Sequence, residues 1–150
     1  MSHISRKVSE GAIHVSSNGR YFVKDGKPFF WLGDTQWELF RLFSLDDVKV
    51  VLENRKDKGF SVIQIMLTGV GDGTKPNLAG QTPWEENDPA VPHEPYFKNV
   101  DAMIRMGGEN GLIFAIGVFH QLQTCYITFA NARKYARWIA NRYLDEPNII

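Results

Sequence analysis

A carboxylate, two indoles, an amide and an imidazole stand out in this sequence for their surroundings: Asp34, Trp37, Trp84, Gln64 and His120. Asp34 and Trp37 follow an apolar run, in Gly33-Asp34-Thr35-Gln36-Trp37. Gln64 interrupts Val62-Ile63-Gln64-Ile65-Met66-Leu67, and His120 closes Leu112–Phe119, a third apolar run. Trp84 lies in a polar, proline-flanked stretch. Carboxylate, amide and imidazole groups exchange hydrogen bonds with hydroxyls, and an indole offers a flat apolar face to a ring. Together they suit a polyhydroxylated ring compound, a carbohydrate. Each also has a structural alternative. Asp34 can bond the backbone of its own turn. Trp37 can pack under the following helix, and Trp84 can fold into a core. Gln64 can bond a neighbour, since a buried amide needs a partner. His120 can be a satisfied structural histidine. His14 and His93 fit surface or turn positions.

Other chemistries lack their residues. No His-x-His or His-x-x-x-His pair suggests a metal, and no cofactor is implied. No Gly-x-Gly-x-x-Gly follows the first apolar run, so the dinucleotide fingerprint is missing. No Gly-x-Ser-x-Gly elbow occurs. Cys125 is the single cysteine, so an internal disulfide and a thiolate cluster are excluded, and it fits best as a small buried hydrophobe. Lys plus Arg and Asp plus Glu are 17 each. That balance argues against nucleic acid as the main partner, which needs a basic surface. The apolar runs are far shorter than the ~20 residues of a membrane span, and residues 1–10 contain no apolar signal region. No membrane partner is expected, and a cytoplasmic location is the default.

The elements that must position these side chains alternate. Residues 1–10 are polar and expected to be disordered. Ile13–Val15 and Tyr21–Val23 flank Ser17-Asn18-Gly19, a hairpin signal, and Asp25-Gly26 adds a turn, giving a small β-meander. Phe29–Gly33 is apolar without alternation, as in a strand covered on both faces. Ser44 with Asp47 opens a helix in a near capping box, with Leu45, Val48, Val51 and Leu52 on one face and Gly59 at its stop. Val62–Leu67 is a second strand. Tyr96, Phe97, Val100, Met103 and Ile104 mark a second helix. Leu112–Phe119 is a third strand, residues 130–143 a third helix, and Asn148–Ile150 the start of a fourth strand.

Strand–helix alternation implies a parallel sheet with right-handed crossovers. A doubly wound sheet and a (β/α)8 barrel both fit, the latter needing about 250 residues. Stopping on the first residues of a buried strand favours the N-terminal half of a barrel, residues 11–150, interrupted at strand four. In such folds ligands bind beyond the carboxyl ends of the strands, which is where the candidates fall. The stretch from Gly69 to Glu94 exceeds the ~12–15 residues above which structureless loops become uncommon. It suggests a lid or binding wall, the alternative being an insertion with no role.

The stretch from Asn18 to Trp37, ending Pro28-Phe29-Phe30-Trp31-Leu32-Gly33-Asp34-Thr35-Gln36-Trp37, resembles the opening of apiosidase-like bacterial glycoside hydrolases, barrels often paired with a collagen-binding-like C-terminal domain. The likeness continues through Glu94–Phe97, Asn131–Tyr135 and Arg142–Ile150. It implies a glycosidase acting on plant or microbial polysaccharide side chains. It also implies an acid/base carboxylate just past strand four, where relatives continue Asn-Ile-Ile with a Trp and a Gly-Gly-Asp-like segment, and a nucleophile on a later strand. Neither position occurs within residues 1–150, so no residue here inherits a catalytic role. Relatives place a Trp in the segment after strand three, where this chain has Val118-Phe119-His120-Gln121-Leu122-Gln123. The expectation is a glycoside hydrolase portion whose Asp34, Trp37, Gln64, Trp84 and His120 line an oligosaccharide or polysaccharide site. Two alternatives are a non-catalytic carbohydrate-binding module and a half-barrel that self-associates through open sheet edges.

Overall fold

The computed structural model describes residues 11–150; the expectation for residues 1–10 lies outside them. The chain begins with an antiparallel meander, β1 (His14–Val15), β2 (Phe22–Lys24) and β3 (Lys27–Phe29). Gly19 and Gly26 turn its two corners at positive φ, as the Asn-Gly and Asp-Gly pairs predict.

A second sheet is parallel, in the order β4 (Gly33–Thr35), β5 (Val62–Met66), β6 (Ile113–Gly117). The helices are α1 (Leu39–Leu42), α2 (Leu45–Asp57), α3 (Glu94–Glu109) and α4 (Ala132–Arg142). Asn148–Ile150 adds a fourth strand position beside β6: the Phe114 amide donates to the Asn148 carbonyl at 2.8 Å, and the Ile150 amide to the Phe114 carbonyl at 2.9 Å. Strand, helix, strand, helix and strand on a parallel sheet is the N-terminal part of a (β/α) barrel with a β-meander before it. None of the described helices is long and apolar enough to cross a membrane.

One strand is displaced from its expected place. Phe29 ends the meander, and the first barrel strand begins at Gly33, after the expected Phe29–Gly33 run. Phe30 is 78% exposed and Trp31 half-exposed, so that run is not covered on both faces. The chain is crossing between the two sheets there. Ser61 holds the crossing, its hydroxyl donating to the Phe30 carbonyl at 2.6 Å and accepting from the Leu32 amide at 3.0 Å.

The core lies on one side of the parallel sheet. Ile63, Ile65 and Phe114 point from the strands into Val48 and Leu52 of α2, Phe97, Val100 and Ile104 of α3, and Tyr135 and Ile139 of α4. All are essentially excluded from solvent. Alternation along each strand sends Thr35 and Gln64 to the opposite face, where both are exposed. In a closed barrel that face is the interior.

Local chemistry sets the helix ends. Ser44 accepts from the Asp47 amide at 3.1 Å, Asp47 closes the box on the Ser44 amide, and Gly59 takes positive φ just past the stop. Such a cap contributes about 1 kcal/mol. Arg142 of α4 pairs with both oxygens of Glu94 and with Asp101 on α3, at 2.7–3.1 Å, and lies 5.0 Å over Trp138. Burial lowers the tendency of Arg142 to hold its proton, but the two carboxylates outweigh that and hold it firmly charged. Those contacts lock the third βα unit onto the second.

Candidate functional site

The carboxyl ends of β4 and β5 open onto a cleft of about 460 Å³ lined by Thr35, Gln36, Trp37, Glu38, Phe43 and Val70. The Gln36 amide donates to the Gln64 carbonyl at 2.9 Å, which carries the strand pairing one residue past β4 and sets Trp37 at the mouth. The Trp37 carbonyl in turn accepts from the Met66 amide at 3.3 Å. With its backbone held, the indole stays 46% exposed, an apolar plate beside polar groups. Glu38 forms the back of the cleft: one oxygen accepts from the Val70 amide at 3.0 Å, and the other pairs with Arg41 at 2.8 Å. Gly69 passes so close that a Cβ there would meet Glu38 Oε2 at 2.6 Å.

Gln64 lies beside Thr35 in register and accepts from the Thr35 hydroxyl at a long 3.5 Å. Both face the barrel interior just below the mouth, so they can turn toward a ligand hydroxyl at little cost.

His120 lies on the loop after β6, bonded to the loop after β5. Its Nδ1 accepts from the Gly71 amide at 3.4 Å and the Leu122 amide at 3.3 Å. Two N–H groups aimed at Nδ1 place the proton of the neutral ring on Nε2, which makes His120 a donor at that atom. Sequence reasoning passed over what holds this arrangement. The Gln123 side chain is completely buried; its amide nitrogen donates to Thr68 Oγ at 2.8 Å and the Gly69 carbonyl at 3.4 Å, and its oxygen accepts from the His120 amide at 3.1 Å. One amide thus joins the loop after β5 to the loop after β6. The only sign in the sequence is a polar cluster directly after an apolar strand.

Two expected site residues do other work. Asp34 lies inside β4, and alternation turns its side chain to the helix side, where it pairs with Arg55 of α2 and accepts from Gln36 Nε2 at 2.7 Å. Partial burial pushes the carboxyl up, but the bonds from Arg55 and Gln36 and the Arg55 charge outweigh it, and Asp34 stays below the ordinary carboxylate range. Trp84 is 1% exposed, with its ring against Tyr126, edge-on to Tyr135 at 5.7 Å, and backed by Gly73. It offers no face to a sugar, because the long loop folds back over it.

That loop is bonded throughout. Asn77 Oδ1 caps the amides of Ala79 and Gln81, both at 3.0 Å. Asp72 holds Thr74, whose side-chain and backbone hydrogen bonds lower the Asp72 pKa. Trp84 bridges to Pro92, and Asp88 accepts from the Ala90 amide at 2.9 Å and from Asn131 Nδ2 at 3.0 Å. Asp34 on the helix side, Glu38 in the cleft, and Asp72 and Asp88 in the loop are thus already engaged, while Glu85 and Glu86 stand exposed on a turn of the loop away from the cleft lining. Among the described residues, no group of three His, Cys, Asp or Glu side chains is placed to hold a metal ion.

A family model for the catalytic domain of apiosidase-like proteins matches residues 16–150. The chain belongs to the apiosidase-like family. Solved structures agree with the fold. A glycoside hydrolase at 30% identity superposes with a TM-score of 0.82 over 95% of this chain and 33% of its own. A family 5 glycoside hydrolase from Bacteroides vulgatus ATCC 8482, at 27% identity, gives 0.83 over 94% and 32%. An endo-1,4-beta-mannanase from Rhizomucor miehei, at 17% identity, gives 0.65 over 91% and 46%, which speaks for the fold alone. The apiosidase-like chain thus spans about a third of the length of the first two structures. No curated protein matches it in sequence.

Proposed function

We propose that this apiosidase-like chain supplies part of the substrate-binding wall of a glycoside hydrolase acting on polysaccharide side chains of plant or microbial origin. The observation that carries it is the cleft at the carboxyl ends of β4 and β5. An exposed indole stands there with Thr35 and Gln36, and Gln64 on the next strand and the Nε2–H of His120 on the loop after β6 add hydroxyl partners on the same strand-end face, a mix that suits a pyranose or furanose.

The chemistry of bond cleavage belongs to other residues. A retaining mechanism uses two carboxyl groups about 5–5.5 Å apart, one acidic and one free to attack. Asp34, Glu38, Asp72 and Asp88 are each committed to an arginine, an amide or a hydroxyl, and the exposed Glu85 and Glu86 lie on a turn of the loop and do not line the cleft. Carboxylates on later barrel strands fill that role, as the family likeness implies.

Titrating the purified chain with neutral oligosaccharides, followed by tryptophan fluorescence, tests the wall. Binding is expected, and Trp37→Ala weakens it several-fold while Trp84→Phe, at a buried indole, leaves the affinity unchanged in the folded protein. Equal binding by Trp37→Ala overturns the assignment of this cleft.

A further inference from the structure

We propose that Asn18-Gly19, the first corner of the meander, is a site of self-modification, where the Gly19 amide nitrogen closes on the Asn18 side chain, ammonia leaves, and water opens the ring to aspartate or isoaspartate. The corner lies between β1 and β2, and the chain runs from the meander into the amino end of β4, so the site is separate from the cleft at the carboxyl ends of the strands. The step balances without oxidant or reductant. A bond forms between Gly19 N and Asn18 Cγ as the Gly19 amide proton passes to hydroxide. The Cγ–Nδ2 bond then breaks, and Nδ2 takes a proton from water and departs as ammonia. Water next opens the cyclic imide. Attack at Cγ gives aspartate; attack at the backbone carbonyl gives isoaspartate, in which the main chain runs through the side-chain methylene.

The first observation is how the corner holds the electrophile. Asn18 Oδ1 accepts from the Ser16 hydroxyl at 2.8 Å and from the Arg20 amide at 3.1 Å. Two donors on one carbonyl oxygen draw electron density from Cγ and stabilise the oxyanion that forms on attack. Ser16 is itself fixed. It is buried, and its hydroxyl oxygen accepts from the Arg20 and Tyr21 amides, both at 3.2 Å, which leaves its proton for Asn18. Among the described residues no acceptor holds Asn18 Nδ2, the leaving nitrogen.

The second observation is access to the nucleophile. Asn18 and Gly19 are both exposed, and a Cβ at Gly19 would meet nothing within 4 Å. Gly19 stands at a φ of 71°, which the turn requires and which keeps the position a glycine, with no side chain to shield the nitrogen. The Gly19 amide donates to the Ser16 carbonyl at 2.9 Å, so the nitrogen is reached when that bond opens. A solvent-facing bond at the tip of a hairpin opens far more readily than the core.

The third is the contrast with Asn110-Gly111, a second pair of the same composition. There the leaving nitrogen is tied down, Asn110 Nδ2 donating to the Met106 carbonyl at 2.9 Å. The Gly111 amide donates to the Gly108 carbonyl at 2.9 Å, and the buried Leu112 follows, its amide on the Gly107 carbonyl. Attack at Asn110 therefore requires the end of α3 to unwind. The two products at Asn18 differ in what they keep. An aspartate still accepts from Ser16 and Arg20, more strongly for its charge. An isoaspartate lengthens the main chain and draws Gly19 away from the Ser16 carbonyl, which loosens the turn beneath the 2.8 Å bond from the Ser16 amide to the Tyr21 carbonyl.

The test ages the whole chain in water labelled with heavy oxygen, at neutral and at mildly alkaline pH, and maps its peptides by mass spectrometry. Label is expected in the peptide that carries Asn18, as a mixture of aspartate and isoaspartate, and faster as pH rises. Asn18 should convert at least about tenfold faster than Asn110, a ratio that corresponds to ~1.4 kcal/mol of barrier. In urea, where both corners are lost, the two rates should converge. Asn18→Gln, whose longer side chain closes a larger and less readily formed ring, should leave that peptide unlabelled while its circular dichroism matches the parent. Equal rates at Asn18 and Asn110 in the folded chain, or an Asn18 that stays intact while Asn110 converts, overturn the proposal. Label at position 18 without any isoaspartate would mean direct hydrolysis in place of ring closure and overturns it as well.

Discussion

A buried amide must find partners for both its donors and its acceptor, and Gln123 finds them in two loops at once. It fixes Thr68 and Gly69 beside His120, and with them the Gly71 amide that aims at the imidazole. Gln123→Leu leaves the Thr68 hydroxyl and the His120 amide without their buried partner, which costs about 1–3 kcal/mol. It also frees the ring. In ¹⁵N NMR at neutral-ring pH, the parent should show His120 as the Nε2–H tautomer, and Gln123→Leu a mixture of tautomers; a parent spectrum of averaged tautomers would contradict the geometry. The sequence contained His120 and Gln123 in plain view, but a polar triplet after a strand does not say which member is buried. Asp34 shows the same gap from the other side. Its place near the carboxyl end of a strand was visible, yet whether it lies in the strand or past it decides which face it takes. One residue of register moves a carboxylate from the mouth to the helices.

At the scale of elements, periodicity carried most of the information. The Ser44–Asp47 box and the Gly59 stop bound α2 closely, and the apolar stripe from Tyr96 to Ile104 marks α3 without fixing its ends. The first barrel strand was misplaced because Phe29–Leu32 is as apolar as a buried strand but serves as a crossing between sheets. The path of the long loop was not legible from its local turns alone. Local turns at Asp72, Asn77 and Asp88 are joined by closure over Trp84, with Gly73 from the same loop and Tyr135 from α4 packed against it. Packing between α3 and β6 is tight enough to test. A Cβ at Gly107 would collide with the Phe114 ring, itself inside the core. Gly107→Ala therefore destabilises by about 1–3 kcal/mol despite the better helix propensity of alanine. Urea denaturation measures it, and a gain in stability would mean that α3 sits further from the sheet.

For the molecule as a whole, Ile116, Val118, Ile139, Tyr143, Ile149 and Ile150 line an apolar hollow of the kind that the rest of a closed barrel covers. We propose that the isolated chain associates through them, with β4 as an open edge. Sedimentation at tens of micromolar should show species heavier than the monomer; a clean monomer with cooperative unfolding would contradict this. The central claim, that these residues bind sugar and do not cleave it, is tested most directly by assaying turnover. A positioned acid or base contributes about 10²–10⁴-fold, and the carboxylate that lines the cleft, Glu38, is already held by Arg41 and the Val70 amide. The purified chain, offered a panel of aryl glycosides and polysaccharide side chains, should release no product above the uncatalysed rate. Turnover that disappears in Asp34→Asn or Glu38→Gln would make that carboxylate catalytic and contradict the account.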